Sequence, residues 1–169
     1  MVELSVIRDL VAIFGVIAGF SYYVLTVRNN QKNQTHALES RRLSIYMSLR
    51  NIFTNYDFMR RYVNVMYDQQ WETVDEYYQK YGPTINPDEY TDFGFLFATF
   101  QMAGMLLKEQ AVTIDVLYDD MGYVVINLYE KYKPVVDSVR ERAGRVWPQV
   151  ESLYKSCVEY RDQHPELAP

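Results

Sequence analysis

One cysteine, Cys157, stands in a chain of 169 residues, so an internal disulfide is excluded and a reducing compartment suits the protein. Cys157 is read as a small apolar core residue. Histidine is almost as scarce: neither His36 nor His164 has a Glu three residues before it, which excludes the Glu-x-x-His pairs of a di-metal bundle. Both are expected at the surface. The metalloprotease H-E-x-x-H, the phosphate-cradling G-x-x-x-x-G-K-[ST], the nucleophile elbow G-x-S-x-G and paired-cysteine zinc patterns are missing too. No cofactor, metal or catalytic residue is expected, and the chain reads as non-enzymatic. Sustained period-two alternation and hairpin dipeptides are absent, which leaves an all-α fold. Glycine (7) and proline (6) are sparse, and neither occurs between Gly19 and Gly82.

What the chain does have is an uncharged run, Leu10 to Val27, LVAIFGVIAGFSYYVLTV. Eighteen helical residues cover about 27 Å, close to the ~30 Å hydrocarbon core of a bilayer. Ten of them are Leu, Ile, Phe or Val, each favouring insertion by roughly 0.3–0.6 kcal/mol near the membrane centre. A transmembrane helix over 10–27 is expected, after a short flank at 1–9. The start MVELSVIRD is not a basic n-region and no A-x-A-like site follows, which argues against a cleaved signal peptide. Arg28, Lys32, Arg41 and Arg42 follow the run against Glu39 alone, so positive-inside counting places the N-terminus outside and the C-terminal domain in the cytoplasm. The expected location is the cell (plasma or inner) membrane. On that topology the sequon Asn33-Gln34-Thr35 is a chance match. Gly15 and Gly19 form a G-x-x-x-G and are candidates for membrane dimerisation.

The net charge of −5 is unevenly spread. Residues 28–66 hold seven Lys or Arg against two acids, and residues 67–120 hold eleven acids against two Lys. A basic segment at 28–37 leaving the bilayer could meet anionic inner-leaflet lipid through Arg28, Lys32, Arg41 and Arg42; neutralisation by the acidic segment is the competing account. Nothing forms a domain-wide basic face, so nucleic-acid binding is not expected. Sixteen tyrosines, mostly at helical spacing beside aliphatic residues, suit the edges of a core.

Beyond the anchor, residues 38–161 read as an antiparallel helical bundle of about four helices, with a polar tail at 162–169. Leu38, Ile45, Ile52, Met59 and Met66 recur every seven, with Leu49, Tyr56 and Val63 between. With no breaker in reach, the transmembrane helix is expected to continue into this stalk. Tyr46 and Phe53 widen the stripe, which favours packing in a bundle over a self-pairing coiled coil. A helix is expected over Asp68–Tyr81 with Trp71, Val74, Tyr78 and Tyr81 inward, ended by Gly82-Pro83. Asn86, Pro87 and Glu89 mark the next helix start as N-cap, first position and capping-box partner. That helix buries Phe93, Phe97, Phe100 and Gly104. Thr113 caps another, with Ile114, Leu117, Met121, Val124 and Leu128 inward and Asp115, Asp119 and Asp120 outward. A kink or break is expected at Pro134, and Val150, Leu153, Cys157 and Tyr160 carry the last stripe.

Gly122 to Arg142, GYVVINLYEKYKPVVDSVRER, preceded by an aromatic-rich helix and an Arg-bearing stalk, resembles small single-pass membrane-anchored helical proteins catalogued as a domain of unknown function (family 4760-like). The resemblance implies an anchored helical bundle and carries over no catalytic residue. The expected function is a membrane-anchored, non-enzymatic interaction or scaffold module whose partner surface includes Asp115, Asp119, Asp120 and Arg140. The alternative is an oligomerising membrane effector or subunit of a membrane complex, assembled through the transmembrane and stalk helix; an enzyme with an unrecognised site ranks third. The expected partners are the lipid bilayer and either another protein or further copies of the chain.

Overall fold

The computed structural model describes the backbone of residues 4–167 and the side chains from Phe14 on, Ile17 excepted. Among the described residues the secondary structure is helical throughout, with no strand. Helix α1 spans Leu4–Phe53, α2 Tyr56–Val63, α3 Val74–Tyr81, α4 Pro87–Lys108, α5 Ile114–Leu117, α6 Tyr123–Ala143 and α7 Pro148–Gln163. Two π-helical turns, Asn64–Asp68 and Tyr118–Gly122, follow α2 and α5. The chain divides into two compact units, Met1–Leu43 and Ser44–Pro169.

In the first unit every described side chain from Phe14 to Leu43 is exposed. Phe14, Phe20, Tyr22 and Leu25 have no covering neighbour, at 68%, 69%, 74% and 59% exposure. Among the described residues no helix is long and apolar enough to cross a membrane. The expected span at 10–27 includes residues 10–13 and 17, which lie outside the described side chains.

The second unit is held by aromatic packing. Phe58 meets Phe100 and Arg61 meets Asp92 while Asn64 meets Glu89, so α2 and α4 run antiparallel. Arg140 pairs with Glu151, Tyr129 stacks on Tyr154 and Tyr118 reaches Tyr160, which makes α6 and α7 antiparallel as well. Fully buried Tyr77, Phe93, Phe97 and Tyr132 sit at the centre, with Phe93 stacked on Tyr132 at 5.0 Å. At Gly104 α7 comes close to α4: a Cβ there would lie 2.4 Å from the Gln149 carbonyl oxygen.

Several expectations are corrected. The helical part after α1 contains six α-helical segments rather than about four. The heptad stripe does not continue through Met66, because α1 ends at Phe53 and α2 restarts the register. The breaker is neither Gly nor Pro but Asn55, whose side-chain oxygen accepts from the Asp57 N–H at 2.8 Å and caps α2. In the new phase Phe58, Tyr62 and Val65 are buried, leaving Tyr56, Met59 and Val63 exposed. Helix α3 is shorter than 68–81, being capped by Thr73, whose hydroxyl accepts from the Glu76 N–H. Its central residue is Tyr77, with Trp71, Tyr78 and Tyr81 packed around it. Helix α6 runs unbroken through Pro134, which is tolerated because Pro134 lies on the exposed side. The Asn86 cap is as read: its side chain accepts from Glu89 N–H and Pro87 opens α4.

Candidate functional site

The residues that sequence reasoning singled out fall into separate places. Arg28, Lys32, Arg41 and Arg42 lie on α1 in the first unit, all exposed. Gly15 and Gly19 are there too, and a Cβ added at either would meet nothing within 4 Å. His36 is exposed beside Glu39, whereas His164 is half-buried, its ring 4.4 Å from that of Tyr160.

In the second unit Asp115 and Asp119 are exposed and Asp120 is half-buried. The Tyr46 hydroxyl donates to Asp120 at 2.9 Å and Arg50 lies 3.6 Å from the same carboxylate. Asp120 thus ties the end of α1 to the second π turn instead of facing outward freely. Arg140 is likewise committed: its guanidinium donates to the Val146 and Trp147 carbonyls and to Glu151, clasping the turn where Gly144 and Trp147 take positive φ. Arg140, in the last turn of α6, reaches Glu151 at the start of α7, and Asp115 and Asp119 sit near Tyr160 towards the other end of α7. The four residues do not form one surface. Cys157 is fully buried, and burial pushes its thiol up to about 12, so it stays protonated.

Sequence reasoning did not find the polar hub between α2, α4 and α6. Lys131 directs its ammonium at the Val65, Met66 and Gln69 carbonyls, at 3.1, 2.6 and 2.7 Å. An ammonium has three protons and here each has an acceptor. The carbonyls are those the first π turn leaves open as the chain exits it, so Lys131 acts as its C-terminal cap. Burial holds its pKa below the usual lysine value. The buried Tyr132 hydroxyl lies 2.8 Å from the Val65 carbonyl and 2.7 Å from Gln69 Oε1. Gln69 and Asn64 donate to Glu89, and Asn64 and Arg61 to Asp92. Arg61 pairs with Asp92, Lys131 is held by three backbone carbonyls and Glu89 by two side-chain amides, and these contacts together hold the hub. The signal in the sequence was a set of polar residues off the solvent face of helices, separated by 20 to 67 positions from their partners.

Beside the hub a surface groove of about 530 Å³ is lined by Tyr56, Met59, Val63, Arg60, Asp68 and Glu89. Among the described residues no three His, Cys, Asp or Glu side chains gather to hold a metal ion. The hydroxyls of Tyr62 and Tyr77 and the indole N–H of Trp71 are buried without a hydrogen-bond partner. Burial raises the Tyr62 phenol to about 12 and pushes Tyr77 and Tyr132 up as well.

A family model described as a domain of unknown function, DUF4760, matches residues 9–157. No curated protein and no solved structure matches the chain.

Proposed function

The chain belongs to the DUF4760 family, and for this member we propose the role of a membrane-anchored, non-enzymatic interaction module. One observation carries the reading: on α1 the large side chains of Phe14, Val16, Phe20, Tyr22, Tyr23 and Leu25 are 59–74% exposed. Apolar area left in water costs roughly 25 cal/mol per Å², and a bilayer is the environment that removes the cost along a whole helix. The uncharged run Leu10–Val27 has the length for this. The cations after it, Arg28, Lys32, Arg41 and Arg42, favour a C-terminal bundle on the cytoplasmic side and contact with anionic headgroups.

The test is a topology assay on the full chain, with reporters fused before Leu4 and after Pro169, together with alkaline carbonate washing of membranes. Retention in the pellet with the C-terminal reporter cytoplasmic is the expected outcome. A chain released by the wash removes the anchor, and a C-terminal reporter found outside reverses the topology and exposes Asn33 to glycosylation.

A further inference from the structure

Helix α1 carries two different heptad registers. One, containing Leu49 and Phe53, is buried at 2% and 5% exposure. The other contains Leu43 and Met47, exposed at 60% and 44%. Traced back towards the N-terminus in steps of four and three, this second register passes through Ser40, His36, Asn33 and Asn29. It then reaches Thr26 and Tyr22 and ends on Gly19 and Gly15. From Gly15 to Met47 it meets no charged residue, although Arg28, Lys32, Glu39, Arg41 and Arg42 lie in the same stretch. All five fall at other heptad positions.

That segregation has a chemical meaning. In a parallel, in-register pair of identical helices, each seam residue faces its own counterpart. A seam through Arg28, Lys32, Arg41 or Arg42 would set cation against cation. Asn, Ser, Thr and a neutral His each carry both a donor and an acceptor, so each can hydrogen-bond to a second copy of itself. A slip of one heptad sets Asn29 against Tyr22 and His36 against Leu43, so the matched register is the one that pairs each group with its own kind. At the membrane end Gly15 and Gly19 leave open space where a Cβ would stand, which lets two backbones approach.

We propose that α1 pairs in parallel with α1 of a second copy of this chain through the uncharged register running from Gly15 to Met47. The parallel direction rests on the membrane anchor proposed above, since two copies inserted with one topology present α1 in one sense. The register is distinct from the Leu38, Ile45 and Ile52 heptad and uses the positions that the bundle leaves exposed.

Disulfide crosslinking of the full chain in isolated membranes tests it. Asn33→Cys and Ser40→Cys lie on the register; Gln31→Cys and Gln34→Cys lie off it. All four positions are exposed, and buried Cys157 stays silent as a protonated thiol. Because a disulfide needs Cβ atoms about 3.5–4.5 Å apart, about tenfold more dimer is expected from the first two variants than from the others. Equal dimer from all four, or dimer from none, overturns the proposal. Asn29→Lys with Asn33→Lys is expected to abolish crosslinking through Leu43→Cys while the thermal melting of the bundle stays unchanged; crosslinking that persists also overturns it. Carbonate washing separates the two readings. A chain that crosslinks on register yet washes off keeps the pairing and loses the anchor, and one that stays in the pellet without crosslinking does the reverse.

Discussion

Residues 14–43 and residues 44–167 solve opposite problems with similar apolar side chains. In the first stretch Phe14, Phe20 and Leu25 are uncovered by protein, and the polar residues after Val27 are exposed as well. In the second, Phe93, Phe97 and Tyr132 are sealed from solvent, and the polar groups sealed with them find partners inside the protein, the Tyr62 and Tyr77 hydroxyls and the Trp71 indole N–H excepted. The bundle therefore shows a cost that α1 up to Leu43 escapes: Lys131, Gln69, Glu89 and Asp92 have their hydrogen-bonding groups engaged, and burial shifts several titrations. Burial by protein imposes pairing on polar groups, whereas an exposed helix leaves its pairing to whatever surrounds it.

Alkali should expose that contrast most strongly. Cys157 and Tyr62 titrate at about 12 when folded, against 9.0 and 10.0 for the ordinary groups, and Tyr77 and Tyr132 are raised further. These are acids whose folded pKa is raised, so between the two values the unfolded chain releases protons that the folded chain keeps. Stability is then lost progressively as pH rises from about 9 towards 12. Circular dichroism melts of the full chain in detergent across that range should show a falling Tm; a flat profile would contradict the burial of these groups. Next in size, Phe97→Ala should cost the bundle about 3–5 kcal/mol by opening a cavity, whereas Phe20→Ala should leave the bundle Tm in place and weaken only membrane retention. A matching loss of bundle stability from both would erase the distinction between the two regions. Smaller again, Lys131→Ala strips three carbonyls of their donor and should cost about 1–3 kcal/mol. Lys133→Ala, removing an amine 58% exposed beside Asp137, should stay within about 0.5 kcal/mol. Chemical denaturation of the two variants side by side distinguishes a buried cap from a surface ion pair.

Local chemistry made much of the fold legible. Asn86, Pro87 and Glu89 are adjacent in sequence and act on the same turn, so α4 could be started correctly from them. The 3.6-residue period placed Phe93, Phe97, Phe100, Leu117, Leu153 and Cys157 in the core, where they are. The break at Asn55 was missed because an Asn cap inside a helical pattern carries no composition signal as strong as Pro or Gly. The error then propagated, turning Met59 and Val63 inward when they face out. The hub was missed for a different reason: Lys131 and Gln69 are 62 residues apart, and a pattern along the chain cannot see a partner across it. Asp120, read as outward-facing, is held by Tyr46 through a contact of the same long-range kind, whereas Arg140 finds Glu151 only 11 residues on, across the turn between α6 and α7.

The approach of α7 to α4 at Gly104 bears on how the family can vary. Any side chain at this position would drive its first carbon to 2.4 Å from the Gln149 carbonyl oxygen, so drift here is closed to single changes. A larger residue becomes permissible only in a lineage that has also moved α7. In distant relatives, a replacement at the equivalent of Gly104 would then travel with changes in the Trp147-Pro148-Gln149 turn, giving a fixed point for aligning their sequences.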